Sequence, residues 1–200
     1  QWLIQSACRH GKQLVNAGLS EFTVAINISG LQIRDGGFTN EVSLALQRAG
    51  LEPRYLELEL TESTLMHDGE FVVDNLSRLQ NLGVHIAIDD FGTGYSSMSY
   101  LKRFPINKLK IDRGFISGLP QSSEDMAITR AIIAMAHGLK IEVIAEGVET
   151  LAQAECLRTH NCDVFQGFLY AKPMPFQDLL EMNSRRNSKY SPLQIIKGGA

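Results

Sequence analysis

Cysteine is scarce and poorly placed for bridging. The 200 residues carry three, Cys8, Cys156 and Cys162, an odd number without zinc-type spacing, which points to reduced, packed thiols in a cytosolic setting. No uninterrupted apolar run approaches the roughly 20 residues of a membrane span, which argues against direct membrane insertion. Excess positive charge is also missing: 19 Lys and Arg stand against 22 Asp and Glu, a net charge of -3 at pH 7. That balance excludes the broad basic footprint that duplex nucleic acid or an anionic membrane requires, while leaving room for a local nucleotide site. No basic and hydrophobic leader opens the chain at Gln1, so nothing marks it for secretion. The histidines, His10, His67, His85, His137 and His160, are scattered, and no pair has metal-ligand spacing.

What is present is enough apolar material, 44% of residues, for one sizeable core. Apolar residues at helical spacing (Leu3, Ala7, Leu14) predict a first helix from Trp2 to Ala17, stopped at Gly18. Strands are predicted at 23–28, 55–60, 85–89, 107–111, 141–145 and 163–166. Helices are predicted at about 38–49, 69–82, 124–137, 151–159 and 176–181, with Met126, Ile133 and Ala134 on one face of the third. Such alternation points to parallel βα units with right-handed crossovers, in either an open doubly wound sheet or a closed barrel.

The pleat separates these two architectures. Leu56, Leu58 and Leu60 lie opposite Tyr55, Glu57 and Glu59, and Leu109 and Ile111 lie opposite Lys108 and Lys110. An open parallel sheet is apolar on both faces, whereas one polar face in strand after strand suits the inner face of a barrel. The expected fold class is therefore α/β, a modified (β/α)8 TIM-type barrel with its site at the carboxyl ends of the strands. Six strands do not close such a barrel, so about two more and a helix are expected before Gln1. The domain is expected over 1–182, with 183–200 a polar, poorly ordered tail.

The centre of the chain is His85-Ile86-Ala87-Ile88-Asp89-Asp90-Phe91-Gly92-Thr93-Gly94-Tyr95-Ser96-Ser97, a buried strand delivering two acids to a glycine-punctuated loop. Asp89 and Asp90 repel each other at close range, so holding both ionised calls for a cation. The alternative is that one caps a helix or closes an Asx turn while the other is solvated. The last polar residues of the strands are Asn27, Glu59, Asp89 with Asp90, Lys110, Glu146 and Gln166, and all are expected on one rim. Four carboxylates and an amide oxygen form a hard-oxygen set suited to Mg²⁺ or Mn²⁺, and the number of acids suggests two ions, the usual apparatus for in-line displacement at a phosphate. Lys110 is either neutralised in an ion-pair network or orients the attacking water and balances phosphoryl charge. Deeper on that face, Glu57 and Glu142 are candidates to pair with Lys108, and Asp112 to anchor Arg113. Glu62 and Glu149 follow rim acids by three residues and are placed in loops, where helix-start capping is the alternative role.

Asn27-Ile28-Ser29, Glu59-Leu60-Thr61-Glu62-Ser63, Asp89 through Ser97, Lys110-Ile111-Asp112-Arg113, Glu146-Gly147-Val148-Glu149-Thr150 and Gln166-Gly167 resemble, in order and spacing, the signature of the EAL-domain cyclic di-GMP phosphodiesterases. The resemblance runs from about Trp2 to Phe176. It implies a modified βα barrel that hydrolyses one phosphodiester bond of cyclic di-GMP to linear pGpG with two Mg²⁺ or Mn²⁺ ions. It further implies that Asn27, Glu59, Asp89, Asp90 and Glu146 hold metal, directly or through water, that Lys110 acts with Asp90 and Glu146 in catalysis by placing the nucleophilic water, and that Gln166 lines the site. The loop containing Gly92, Thr93 and Gly94, steadied by Glu62 and Glu149 and grouped with Asp112, would couple metal and substrate binding to dimerisation. The same resemblance implies a homodimer and an upstream sensor or diguanylate-cyclase-like domain; the thiols point to a cytoplasmic location, with membrane tethering open through such a partner domain. The Glu-Ala-Leu tripeptide that names the family occurs nowhere in the chain. Its glutamate is a metal ligand in the family, so it is expected upstream, and the 200 residues alone are expected to turn over poorly. Two other readings are a catalytically silent cyclic di-GMP receptor, a class that typically loses rim acids retained here, and a dimerisation module.

Overall fold

The β-branched and leucine-rich runs of the sequence form the strands, and the stretches between them form helices. The computed structural model describes residues 2–66, 69–94 and 101–187. Its strands are β1 (Val24–Asn27), β2 (Leu56–Thr61), β3 (His85–Phe91), β4 (Lys108–Ile111), β5 (Glu142–Ala145) and β6 (Val164–Phe165), and their order in the sheet follows the chain. The helices are α1 (Trp2–Asn16), α2 (Gly30–Ile33), α3 (Phe38–Ala49), α4 (Glu62–Met66), α5 (Gly69–Asn81), α6 (Arg113–Ser117), α7 (Ser123–Gly138), α8 (Leu151–Thr159) and α9 (Phe176–Asn187). The fold is α/β, built from the βα units of a TIM-type barrel. Two compact units divide it: one runs to Ile88 and takes in 101–107, and the other comprises 89–94 and the described residues from Lys108 onward.

In the first unit, α1 buries Ile4, Ala7, Cys8, Gly11 and Leu14. Leu3, read as part of that stripe, is 49% exposed, because the i, i+3, i+4 spacing that closes on the core starts one residue later at Ile4. β1 and β2 pair in parallel, with Val24 beside Leu56 and Asn27 beside Glu59. Leu56, Leu58 and Leu60 are fully buried, and Glu57 and Glu59 on the opposite face are buried as well. The polar face is thus enclosed, and a charge held there requires a partner. α2, absent from the sequence reading, is started by a capping box in which Ser29 and Gln32 satisfy each other's backbone N–H. The Asn75 amide on α5 donates to the Ile33 carbonyl at the end of α2, at 2.6 Å.

In the second unit, β4, β5 and β6 pair in parallel, with Lys108 beside Glu142, Lys110 beside Ile144 and Ala145 beside Phe165. Ser122 caps α7 by accepting from the Asp125 N–H. The face that α7 buries is Thr129, Ile132, Ile133 and Ala136 rather than one through Met126 and Ala134; Ala134 is exposed and Met126 half-buried. Those four residues follow the i, i+3, i+4, i+7 spacing of one helical face, which overrides the apolarity of Ala134. α9 continues to Asn187, beyond the predicted end at Glu181, because neither Gly nor Pro interrupts the polar stretch. The remainder of the expected tail, 188–200, lies outside the described residues.

Cys8 and Cys162 are buried and unbridged, and burial pushes their thiols up to about 11 and about 12, as expected for packed, unreactive cysteines. Among the described residues no helix is long and apolar enough to cross a membrane. Replacing Asn75 by Ala leaves the Ile33 carbonyl without its buried donor and is expected to cost about 1–3 kcal/mol; an unchanged urea midpoint would show that the bond contributes nothing.

Candidate metal centre

β3 extends two residues past its predicted end at Asp89, so Asp90 and Phe91 also sit on the strand. The alternating pleat would send Asp89 and Asp90 to opposite faces, but Asp90 takes a left-handed backbone, φ 54°, and turns at the strand's end. The Asp89 carboxylate accepts from the Asp90 N–H at 3.1 Å, and the Asp90 carbonyl accepts from the Thr93 hydroxyl at 2.9 Å. Gly92, at φ 99°, follows. A Cβ there would meet the Phe115 ring at 2.8 Å, so both conformation and packing require glycine. Gly94 ends the described part of this loop; Tyr95, Ser96 and Ser97 lie outside the described residues.

Lys110 on β4 is 4% exposed, and its ammonium lies 3.0 Å from Asp89 Oδ1 and 2.7 Å from Glu146 Oε1. A buried lysine stays charged only beside anions, and these two provide that setting. Oxygens of Asp89, Asp90 and Glu146 all fall within 4.8 Å of one another. Three hard donors so close, with one ammonium among them, repel one another. Desolvation raises the Glu146 carboxyl, Lys110 opposes that rise through its hydrogen bond and charge, and Asp89 and Asp90 add to it. The Asp90 carboxyl is raised by desolvation and by Asp89 and Asp112, against Lys110. This donor chemistry fits a divalent cation of the Mg²⁺ or Mn²⁺ type, which would relieve the repulsion.

The other candidates are distributed over the two units. Asn27 and Glu59 are register partners in the first unit, Asn27 exposed and Glu59 buried. Glu62, expected in a loop, is the buried first residue of α4, where the helix N-terminus favours a carboxylate. In the second unit, Gln166 follows β6 with its side chain exposed and its backbone tied to Ala145 and Val148. Lys108 pairs with Glu142 at 3.8 Å, as anticipated. Asp112 does not anchor Arg113: its carboxylate caps α6 by accepting from the Gly114 N–H at 2.8 Å, the local bond that an Asp-x-Gly sequence offers. Arg113 instead pairs with Glu149 at 2.9 Å, a partner thirty-six positions away that no short motif announces. Glu149 is not the cap of α8, a role taken by Thr150 with Gln153.

The model of the EAL domain family matches residues 1–173. The chain belongs to the EAL-domain family. This EAL domain is 47% identical over 180 residues to the bifunctional diguanylate cyclase/cyclic di-GMP phosphodiesterase MucR of Pseudomonas aeruginosa, covering 90% of the chain and 26% of that relative. It is 45% identical over 196 residues to the cyclic di-GMP phosphodiesterase NbdA of the same organism, covering 98% of the chain and 25% of NbdA. The chain thus spans about a quarter of the length of these curated relatives. Among solved structures, the MucR phosphodiesterase in complex with c-di-GMP matches with a TM-score of 0.85 and 47% identity, over 89% of this chain and 72% of that one. A manganese and cyclic di-GMP complex of Klebsiella pneumoniae BlrP1 matches with a TM-score of 0.76 and 30% identity, over 85% of this chain and 44% of that one.

Asp90 and Glu146 hold protons more tightly in the folded EAL domain than in the unfolded chain. Stability from their protonated forms is present below the ordinary carboxylate pKa and lost as pH rises through the raised values. In melts with a chelator, an Asp90→Asn, Glu146→Gln double variant is therefore expected to gain on the wild type as pH rises through that range. A constant difference would contradict the raised proton affinities of the two carboxyls.

Proposed function

We propose that this EAL domain hydrolyses cyclic di-GMP to linear pGpG by in-line attack of water on one phosphodiester bond. The observation that carries this reading is the Asp89–Lys110–Glu146 network with Asp90 beside it, a hard-oxygen cluster on strand ends in which carboxylates outnumber the one ammonium, in a chain of this family. Asn27, Glu59, Asp89, Asp90 and Glu146 are the residues that hold two divalent cations, Mg²⁺ or Mn²⁺. When bound, such cations activate water and stabilise the attacking and leaving oxygens. Lys110 is held at a fixed position by two anions, where its ammonium orients the attacking water and balances phosphoryl charge. Asp90 and Glu146 bind metal in their deprotonated forms, so metal uptake competes with the protons they retain. Gln166 and Asp112 line or support the nucleotide side. Glu62 and Glu149 steady the loop through Gly92, Thr93 and Gly94, which links occupancy to a homodimer. MucR and NbdA, named as cyclic di-GMP phosphodiesterases, support the substrate assignment, and MucR's bifunctional name supports an attached cyclase-like domain. The setting is cytoplasmic.

The intact protein with Mg²⁺ or Mn²⁺ is expected to convert cyclic di-GMP to pGpG, followed by chromatography, and to stop when EDTA is added. Glu59→Ala is expected to lower turnover at least about a hundredfold, beyond the usual cost of losing an outer-shell partner, with an unchanged circular dichroism spectrum. Nucleotide bound but left intact would establish a receptor instead. A melting temperature indifferent to both nucleotide and metal would favour a dimerisation module.

A further inference from the structure

The segment from Glu146 to Glu149 is tied down at alternate residues. The Glu146 N–H donates to the Ile111 carbonyl at 3.2 Å, the Val148 N–H donates to the Gln166 carbonyl at 3.0 Å, and the Leu169 N–H donates to the Val148 carbonyl at 3.1 Å. Gly147 lies between these anchors with φ 68°. A side chain at 147 would run into the stem of Arg113, whose Cβ and Cδ lie 2.9 Å from the Cβ position. Beyond that stem, Arg113 Nη2 reaches Glu149 Oε1 at 2.9 Å. One side chain from the residue after Asp112 therefore covers the turn and grips its far end.

The pair is 63% and 41% exposed, and pairs so placed contribute little to global stability. Its effect is local. Glycine is the residue with the widest choice of backbone conformations, and Gly147 adjoins a carboxylate placed 2.7 Å from Lys110. An aliphatic stem packed over the glycine, with its charged head fixed on Glu149, removes alternative turns and holds that carboxylate in one place.

We propose that Arg113 is a positioning residue that clamps the Glu146–Glu149 turn and so presents the Glu146 carboxylate for metal binding. The proposal rests on the metal reading above. It is tested in the intact protein by Mn²⁺ titration calorimetry and by hydrogen exchange of the 146–149 amides, with melting temperature as the control for folding. Arg113→Ala is expected to weaken Mn²⁺ binding about tenfold, the scale of losing an orienting partner, and to speed exchange across the turn at a nearly unchanged melting temperature. Arg113→Met keeps the stem and is expected to fall between Ala and wild type, and Arg113→Lys to recover most of the affinity. Wild-type Mn²⁺ affinity and exchange in Arg113→Ala would overturn the clamp while leaving the metal reading intact. A wild-type protein that takes up no Mn²⁺ would remove the metal reading and the proposal with it.

Discussion

The second unit depends on one buried ammonium. Lys110 is almost wholly enclosed and stands between Asp89 at the end of β3 and Glu146 just past β5. Removed from water alone, any of the three charges would be costly, and each is tolerable because the others are present. The network is incomplete as a charge balance, because two carboxylates already outnumber the one ammonium and Asp90 brings a third to the same few ångströms. Desolvation raises the proton affinities of Asp90 and Glu146, and the neighbouring carboxylates add to the rise. A fold that maintains such a surplus of negative charge at strand ends is poised to take a cation.

The backbone around the cluster is correspondingly over-determined. Left-handed residues occur where it must turn, at Asp90, Gly92 and Gly147. Each is followed or covered by a specific contact: the Thr93 hydroxyl on the Asp90 carbonyl, the Phe115 ring against Gly92, the Arg113 stem over Gly147. These contacts are individually small. Their common effect is to allow little latitude in where the carboxylates point, which matters for a site whose chemistry depends on position and charge.

Strands, the βα alternation and the acids at strand ends were legible in the sequence because they follow from period-2 patterning and from the position of the last polar residue before each loop. The enclosed polar face of β2 was legible as alternation, but its burial was not, since Glu57 and Glu59 look the same in sequence whether they meet solvent or protein. The buried face of α7 does not follow from the apolarity of Ala134, because apolarity without phase is a weak guide. The pairing of Arg113 with Glu149, and the cap that occupies Asp112, are hidden in the sequence for different reasons. The first is a tertiary contact with no local signal; the second is a local signal, Asp-x-Gly, obscured by the neighbouring opposite charge.

The left-handed backbone at Asp90 also bears on how such a domain can change over generations. Most side chains are disfavoured at φ 54°, β-branched ones most strongly, whereas Asp and Asn tolerate it. Substitutions that keep the turn are therefore largely confined to glycine and asparagine, and asparagine alters the carboxylate while sparing the shape. At this position the easiest drift is towards a site that retains its architecture and loses a charge, so the chemistry is more fragile than the fold that carries it.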